Sequence, residues 1–433
     1  MPDKIATITF GCKVNQYETA CILSDFEKSG YEIVQFNQIA DLYLINSCTV
    51  TGRTDYKSRN AIRQALKKKQ ERPDTKVIVT GCYAQRNFTE LQAMNGIDHI
   101  IDNGSKHLIA DIIRGNVPEF KEINTYSTYP EQKAERISEH TRAFLKIQDG
   151  CDFFCAYCAV PYGRGIPRSR TENNIIQQIK ILIGNGYREI VLGGVNLGLY
   201  GRDTNTSLYL LLQKLVEIKD LELIRLSSLE PQFITTDLIG LIAENDKIAP
   251  HLHIPLQSGC DALLKKMNRR YTVRDFAQLT DTLYSKIPDL ALGLDIIAGL
   301  PGESDDQFRE TEDFLFSLSF TYLHVFPYSR RPGTLATQMN NQVRGEIVKL
   351  RGKILLNLSE DKKEQYCRNL ISAKILLKGV LEEKKNNYWT ALSDHYIRIY
   401  LKERNYRKGQ LLNLLPKMRG EDGLIVDAYD RNF

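Results

Sequence analysis

Three short apolar runs, each leading into a cysteine, set the strongest limit on how this chain can fold. Ile5-Ala6-Thr7-Ile8-Thr9-Phe10 precedes Cys12, Leu42-Tyr43-Leu44-Ile45 precedes Cys48, and Val77-Ile78-Val79-Thr80 precedes Cys82. Runs this short and this rich in branched and aromatic residues are those of buried parallel strands. Helical patterns lie between them, near residues 16–29 and 54–71. Alternating strand and helix gives a parallel sheet whose carboxyl ends share one edge, and ligand sites form at that edge. Three cysteines far apart in sequence should therefore converge. A cysteine is often only a small buried hydrophobe, and one at a strand end would mean little. Three of three point to a shared task.

A second triad is compact. Cys151-Asp152-Phe153-Phe154-Cys155-Ala156-Tyr157-Cys158 is a C-x3-C-x2-C loop, placed just after the strand-like Arg142-Ala143-Phe144-Leu145-Lys146-Ile147. Three thiolates on one loop can hold three irons of a 4Fe–4S cube, and no fourth cysteine follows nearby, so one iron stays open to a small ligand. Structural zinc is the alternative, but such sites usually close with four Cys or His ligands. A disulfide is weaker still, because three close cysteines cannot all pair. Nine cysteines, an odd number arranged in triads, fit a reducing cytoplasm better than a disulfide scaffold. Cys21 and Cys367 read as structural, and nothing pairs Cys260 with a metal.

The chain of 433 residues exceeds the usual size of one core and implies two or three domains. No run of about 18 apolar residues occurs, and Met1-Pro2-Asp3-Lys4 carries no signal-peptide pattern, so neither a membrane span nor export is expected. The net charge of +5 is too mild to name a partner. Its distribution says more: Lys57, Arg59, Arg63, Lys67, Lys68, Lys69 and Arg72 cluster on one expected helix. The tail interleaves Arg398, Lys402, Arg404, Arg407 and Lys408 with Tyr396, Tyr400 and Tyr406. Basic residues among aromatics suit phosphate contact and base stacking, although a merely solvated face carries the same charges.

Residues 1–123 read as an amino-terminal parallel α/β domain, and 124–141, polar and aperiodic, as a linker. Within 142–371, strands are expected at 142–148, 188–193, 222–228, 251–255, 291–298 and 322–327. Such βα units fit an incomplete (βα)6 barrel, shorter than the usual eight-unit one, with a gap that would admit a bulky substrate. Thr171 is expected to cap the helix that follows it, and Gly184 or Gly186 to end that helix. Over 372–433, short runs such as Ile397-Arg398-Ile399-Tyr400 replace the helices and imply a small β-barrel of oligonucleotide-binding character.

The Cys151–Cys158 spacing resembles that of the radical S-adenosylmethionine enzymes, and the two triads together resemble the methylthiotransferases. Gly11-Cys12-Lys13-Val14-Asn15-Gln16-Tyr17-Glu18 is most similar to the branch acting on N6-threonylcarbamoyladenosine in tRNA. That resemblance implies two 4Fe–4S clusters, an auxiliary one on Cys12, Cys48 and Cys82 and one on Cys151, Cys155 and Cys158 whose open iron chelates S-adenosylmethionine. It makes the barrel a radical-SAM core and the tail a TRAM-like module. It also implies cofactor contacts at Tyr157, Gly193, Gly194, Arg225, Ser227, His253 and Gly299, although Val195 stands where the family usually has an acidic residue. Arg225 and Ser227 could equally alternate away from the site, as strand residues do. Arg164, Ser169 and Arg170 match a family segment near the site, as does Phe326-Pro327-Tyr328-Ser329-Arg330-Arg331-Pro332-Gly333-Thr334 at the barrel's close.

The implied chemistry uses one S-adenosylmethionine to methylate a sulfur on the auxiliary cluster. A second is split to a radical that takes hydrogen from carbon 2 of the adenine. No side chain abstracts hydrogen from such a bond, so a cofactor must supply the radical. The implied partners are a tRNA anticodon stem-loop and a low-potential electron donor such as flavodoxin or ferredoxin, with the enzyme a monomer. Lys13, next to Cys12, would suit the threonyl carboxylate better than an isopentenyl group, or else decorates an exposed loop. Three alternatives stay open: isopentenyladenosine as substrate, a ribosomal protein as substrate, or a non-catalytic iron–sulfur protein that binds RNA.

Overall fold

The computed structural model describes residues 2–112, 115–134 and 141–429. Its first unit contains β1 (Lys4–Thr9), β2 (Glu32–Val34), β3 (Leu42–Ser47), β4 (Lys76–Gly81) and β5 (His99–Ile101), in the order β2-β1-β3-β4-β5. Every pairing in this sheet is parallel. All six residues of the central β3 are buried, as a strand covered on both faces requires. The covering helices run Lys13–Lys28 and Gly52–Glu71. Thr51 starts the second with a capping box, its hydroxyl accepting from the Thr54 amide. The carboxyl ends of β1, β3 and β4 open directly onto Cys12, Cys48 and Cys82, as the strand pattern predicts.

The second unit is built from β6 (Arg142–Lys146), a short pair β7 (Gln148–Asp149) and β8 (Arg168–Ser169), then β9 (Glu189–Gly193), β10 (Leu223–Leu226), β11 (His251–Gln257), β12 (Ala291–Ala298) and β13 (Tyr322–Pro327). Its long strands form two parallel three-stranded sheets, β10-β9-β6 and β11-β12-β13. The Ala249 amide, donating to the Ile224 carbonyl at 2.8 Å, joins them. β6 and β13 are the outer strands and do not pair, so the barrel is open on one side. β7 and β8 pair antiparallel and pinch the chain on either side of the cysteine loop.

A helix spanning Gly345–Ser372 then leads to β14 (Leu377–Lys385), β15 (Tyr388–Ser393), β16 (Arg398–Lys402), β17 (Leu411–Arg419) and β18 (Leu424–Ala428). These five close into a barrel of order β14-β15-β16-β18-β17 around Leu381, Trp389, Ile399, Leu414 and Val426. Closure leaves no sheet edge unpaired.

One expectation needs correction. Thr171 does occupy the N-cap of the helix Glu172–Gly184, but its hydroxyl makes no capping bond and turns to Glu131 instead. The end of that helix is as expected: the Tyr187 amide reaches back to the Leu182 carbonyl across Gly186, whose φ is +92°. The described part of segment 124–141 packs against the barrel; residues 135–140 lie outside the described residues. Tyr129 is buried and donates to the Lys146 carbonyl at 2.8 Å, and Gln178 bonds the Ala134 backbone at both ends of its amide. The polar groups of this segment are satisfied by the barrel rather than by water.

Candidate functional site

Cys12, Cys48 and Cys82 come together at the edge of the first sheet. Gly11 allows the closest approach: at φ +92° it holds a conformation that favours glycine, and a Cβ there would lie 2.4 Å from the Cys48 sulfur. Burial pushes the Cys48 thiol up to about 11, with Cys82 and Cys12 adding to the effect. The second triad behaves alike. Burial raises Cys158 to about 12, and Cys155 and Cys151 add to it. Thiols this reluctant to ionise become ligands when a metal replaces their protons.

The donor sets fit iron–sulfur cubes. Two thiolates on one zinc ion, each about 2.3 Å from it, can be at most about 4.6 Å apart. Among the described residues, no three cysteine sulfurs lie within 4.8 Å of one another. A cube spreads its ligands over separate irons and accepts wider spacing. Each triad also receives hydrogen bonds at its sulfurs. Arg164 Nε donates to Cys82 at 3.2 Å, and the Val50 amide donates to Cys48 at 3.5 Å. Arg269 Nη1 donates to Cys155 at 3.2 Å, and the Val160 amide donates to Cys158 at 3.4 Å.

The two arginines are matched in their settings. Arg164 is buried and also bonds Glu18 and Asn15. Glu18 is further paired with Lys106 and Lys146, each at 2.6 Å, and Lys146 reaches Asp149 at 2.7 Å. Burial alone would raise the Glu18 carboxyl, but Arg164, Lys106 and Lys146 hold it well below the usual range. This network joins the first unit to the barrel, so the Cys82 side of the site is assembled from both. Arg269 is likewise buried against Glu230. Sequence reading missed Arg269, since nothing in its spacing marks it. Its neighbour Asn268, at φ +58°, donates from its amide to the Phe153 and Phe154 carbonyls and steadies the cysteine loop.

Two adjoining cavities lie beside the triads. The larger, about 360 Å³, runs down the barrel interior from Cys12, Gly194 and Ser227 to His251 and Tyr322, with Lys13 along its wall. The smaller, about 190 Å³, is lined by Tyr157, Cys158, Gln257, Ile297, Phe326 and Tyr328, among others. Asp295 and Phe326 belong to both. The His253 Nε2 lies 2.7 Å from Asp295 Oδ1, and His324 Nδ1 lies 3.6 Å from the same oxygen. Burial would raise the Asp295 carboxyl, yet His253 and then His324 keep it far below its ordinary value. These three form the one compact His/Cys/Asp/Glu group of metal-like spacing among the described residues. The short His253–Asp295 contact is that of a hydrogen bond.

The residues expected at the cofactor fall into different places. Gly194, Ser227 and His253 line the larger cavity, and Tyr157 lines the smaller, its hydroxyl 3.4 Å from Arg269 Nη1. Gly193 is packed beneath them, where a Cβ would strike the Phe144 ring at 2.3 Å. Gly299 donates its amide to Glu303 and packs against Val348 of the long helix. Arg225 borders the larger cavity, but its Nε is held by Glu189 at 2.7 Å. Its Nη1 and Nη2 donate to the Asp394 and Ser393 carbonyls, each at 2.9 Å, so it pins the carboxy-terminal barrel to the catalytic one.

The basic clusters are partly consumed as well: Lys69 pairs with Asp98, Arg72 with Asp41 and Arg398 with Glu382. Tyr396 leaves its cluster altogether and lines the larger cavity. No helix among the described residues is long and apolar enough to cross a membrane.

Comparison with known proteins agrees with this architecture. Residues 4–102 match the family described as "Uncharacterized protein family UPF0004", and residues 145–315 match the Radical SAM superfamily. The "Threonylcarbamoyladenosine tRNA methylthiotransferase MtaB" of Bacillus subtilis (strain 168) is 38% identical, covering 92% of this chain and 90% of its own. The protein of the same name from Aquifex aeolicus is 36% identical over 95% of this chain and 100% of its own. A "tRNA-2-methylthio-N(6)-dimethylallyladenosine synthase" from Natranaerobius thermophilus is 32% identical over 89% and 87%. Among solved structures, the radical S-adenosylmethionine methyltransferase TsrM from Kitasatospora setae gives a TM-score of 0.60 over 78% of this chain and 77% of that one. At 13% identity that likeness concerns the fold alone. An auxiliary domain joined to a radical SAM barrel, with relatives of this identity along nearly the whole length, places the chain in the radical S-adenosylmethionine methylthiotransferase family.

Proposed function

We propose that this protein is a tRNA methylthiotransferase that converts N6-threonylcarbamoyladenosine next to the anticodon to its 2-methylthio derivative. The observation that carries the reading is the pair of adjoining cavities, one beside each cysteine triad, that share Asp295 and Phe326. One adenosine seated at that junction would have both triads within reach. The names of the relatives from Bacillus subtilis and Aquifex aeolicus support the same substrate.

Cys151, Cys155 and Cys158 would hold the 4Fe–4S cluster that takes S-adenosylmethionine, and Cys12, Cys48 and Cys82 the auxiliary one. When bound, these groups supply the one-electron and methyl-transfer chemistry that replaces the hydrogen on carbon 2 with a methylthio group. The remaining work belongs to the chain. Arg269 and Arg164 would steady the thiolates of Cys155 and Cys82 by hydrogen bonding. Tyr157 would wall the smaller cavity from water, and Gly194, Ser227 and His253 would border the bound cofactor, with Gly193 and Gly299 setting the turns beneath. Asp295, held ionised by its two histidines, would accept a hydrogen bond from the base. Arg225 would act from the second row, by fixing the carboxy-terminal barrel.

We assign residues 1–123 to the auxiliary-cluster domain, 124–141 to its connection, 142–371 to the barrel and 372–433 to the TRAM-like RNA-binding domain. The target base must leave the anticodon loop to reach the cavity, which costs least where it is already unpaired. A monomer working in the cytoplasm with flavodoxin or ferredoxin as electron donor completes the proposal. The deciding experiment presents purified, reconstituted protein with tRNA carrying either N6-threonylcarbamoyladenosine or isopentenyladenosine. Methylthio incorporation into the first is expected; incorporation into the second alone would overturn the substrate.

A further inference from the structure

The larger cavity does not end at the catalytic mouth of the barrel. It reaches His251 and Tyr322, the first residues of β11 and β13, and so extends to the amino ends of the strands. That end is floored by a residue from the other barrel. Tyr396 stacks on His251 with ring centroids 4.5 Å apart and on Tyr322 at 5.4 Å, both near parallel, while the Arg225 guanidinium lies 5.7 Å from its ring. Tyr396 adopts φ +60°, a conformation a tyrosine rarely takes unless its surroundings impose it. Here they do: Arg225 grips the Ser393 and Asp394 carbonyls, and His395 is held by Asp394 at 2.7 Å and Asp289 at 3.2 Å.

The charge in this half of the cavity is unbalanced. Arg225 is paired with Glu189 and Arg142 with Glu382. Lys13, which borders the same cavity and feels the positive charges of Arg142 and Arg225 and the negative charge of Glu189, is ion-paired to no residue among those described. His251 Nδ1 is buried and also lacks a partner among them. A cation and a buried polar nitrogen left over in one cavity ask for an anionic ligand with a hydrogen-bonding group.

We propose that the amino-end half of this cavity is the subsite for the anionic N6 substituent of the target adenosine, with Lys13 as counter-ion to its carboxylate and Tyr396 as its floor. This rests on the substrate reading above and adds how the substrate is told from its relatives. An isopentenyl group placed there would leave Lys13 and His251 unpaired, and a site built to bond a polar group rejects the analogue that lacks it. The RNA-binding barrel thereby contributes directly to base selection, through one side chain.

The test uses the full-length reconstituted protein with three anticodon stem-loop RNAs. One carries N6-threonylcarbamoyladenosine, one its uncharged threonine-amide counterpart, and one isopentenyladenosine. Binding and kcat/KM are measured, with iron content as the check on folding. The wild type should prefer the acid to the amide by roughly ten- to a hundredfold, the range expected of one charge-assisted hydrogen bond. Lys13→Met should abolish that preference and Lys13→Arg should restore part of it. Equal affinity of the wild type for acid and amide, or an undiminished preference in Lys13→Met, would overturn the subsite while leaving the substrate reading standing. Wild-type activity on the isopentenyl loop alone would instead overturn the substrate reading.

Discussion

Arg164 and Arg269 show how much of the site depends on single buried side chains. Each donates to one cysteine of one triad, and each is neutralised by its own glutamate. Glu18 is the more exacting partner, since it serves Arg164, Lys106 and Lys146 at once. Glu18→Gln would leave Lys106 without its carboxylate, and Arg164 and Lys146 with Asp149 as their remaining one. Removing one partner of a buried charge pair typically costs about 3–5 kcal/mol, and denaturant unfolding of the apoprotein should show a loss of that order. The proposed roles divide the cysteines by function. Cys82→Ala should retain reductive cleavage of S-adenosylmethionine and lose methylthiolation, whereas Cys155→Ala should lose both. A folded Cys82→Ala protein without cleavage activity would refute that division. Neither arginine was legible beforehand in its role. Arg164 stands in a recognisable segment, but its bond to a cysteine 82 residues earlier exists only in the folded chain.

At the scale of elements, β1, β3 and β4 were readable because both faces of a covered parallel strand must be apolar, which leaves a dense run in the sequence. Their meeting at one edge followed from topology alone. The spacing of the sulfurs did not, because it depends on Gly11 making room for Cys48. Gly11→Ala would put a methyl group into that sulfur. Iron content should then fall from about eight per chain towards about four, the loss of one cube. Spectroscopy of the cluster on Cys151, Cys155 and Cys158 should be unchanged. The same halving is expected when Cys12, Cys48 and Cys82 are all replaced by alanine; full iron in that triple variant would show the auxiliary site to be misplaced. The Thr171 cap was misread for a local reason. A threonine before a helix is permitted, not obliged, to bond the first turn, and Glu131 competes for it here.

At the scale of the whole molecule, the carboxy-terminal barrel is fastened to the catalytic barrel by Arg225 of the latter and by His395 and Tyr396 in one turn of the former. Burial lowers the affinity of His395 for a proton, but Asp394 and Asp289 outweigh it and raise its pKa to about 9. An unfolded histidine titrates near 6.5, so the stabilisation is fully present below about pH 6.5 and is lost as the pH climbs to about 9. Thermal unfolding of the apoprotein should weaken across that window by an amount on the order of 3 kcal/mol. In His395→Gln the pH slope should flatten; an unchanged slope would place its origin elsewhere. By itself, the sequence determined the three-part architecture, the two cysteine triads and the open barrel, because these rest on short-range periodicity and spacing that any stretch of chain displays. Tertiary structure alone decided which polar groups face which. It sent Tyr396 from an expected RNA-binding face into the larger cavity, used Arg225 to hold two barrels together, and left Lys13 without an ion pair among the described residues. The physical reason is that a side chain's partner is set by distances between residues far apart in the chain. Composition and periodicity carry no record of those distances.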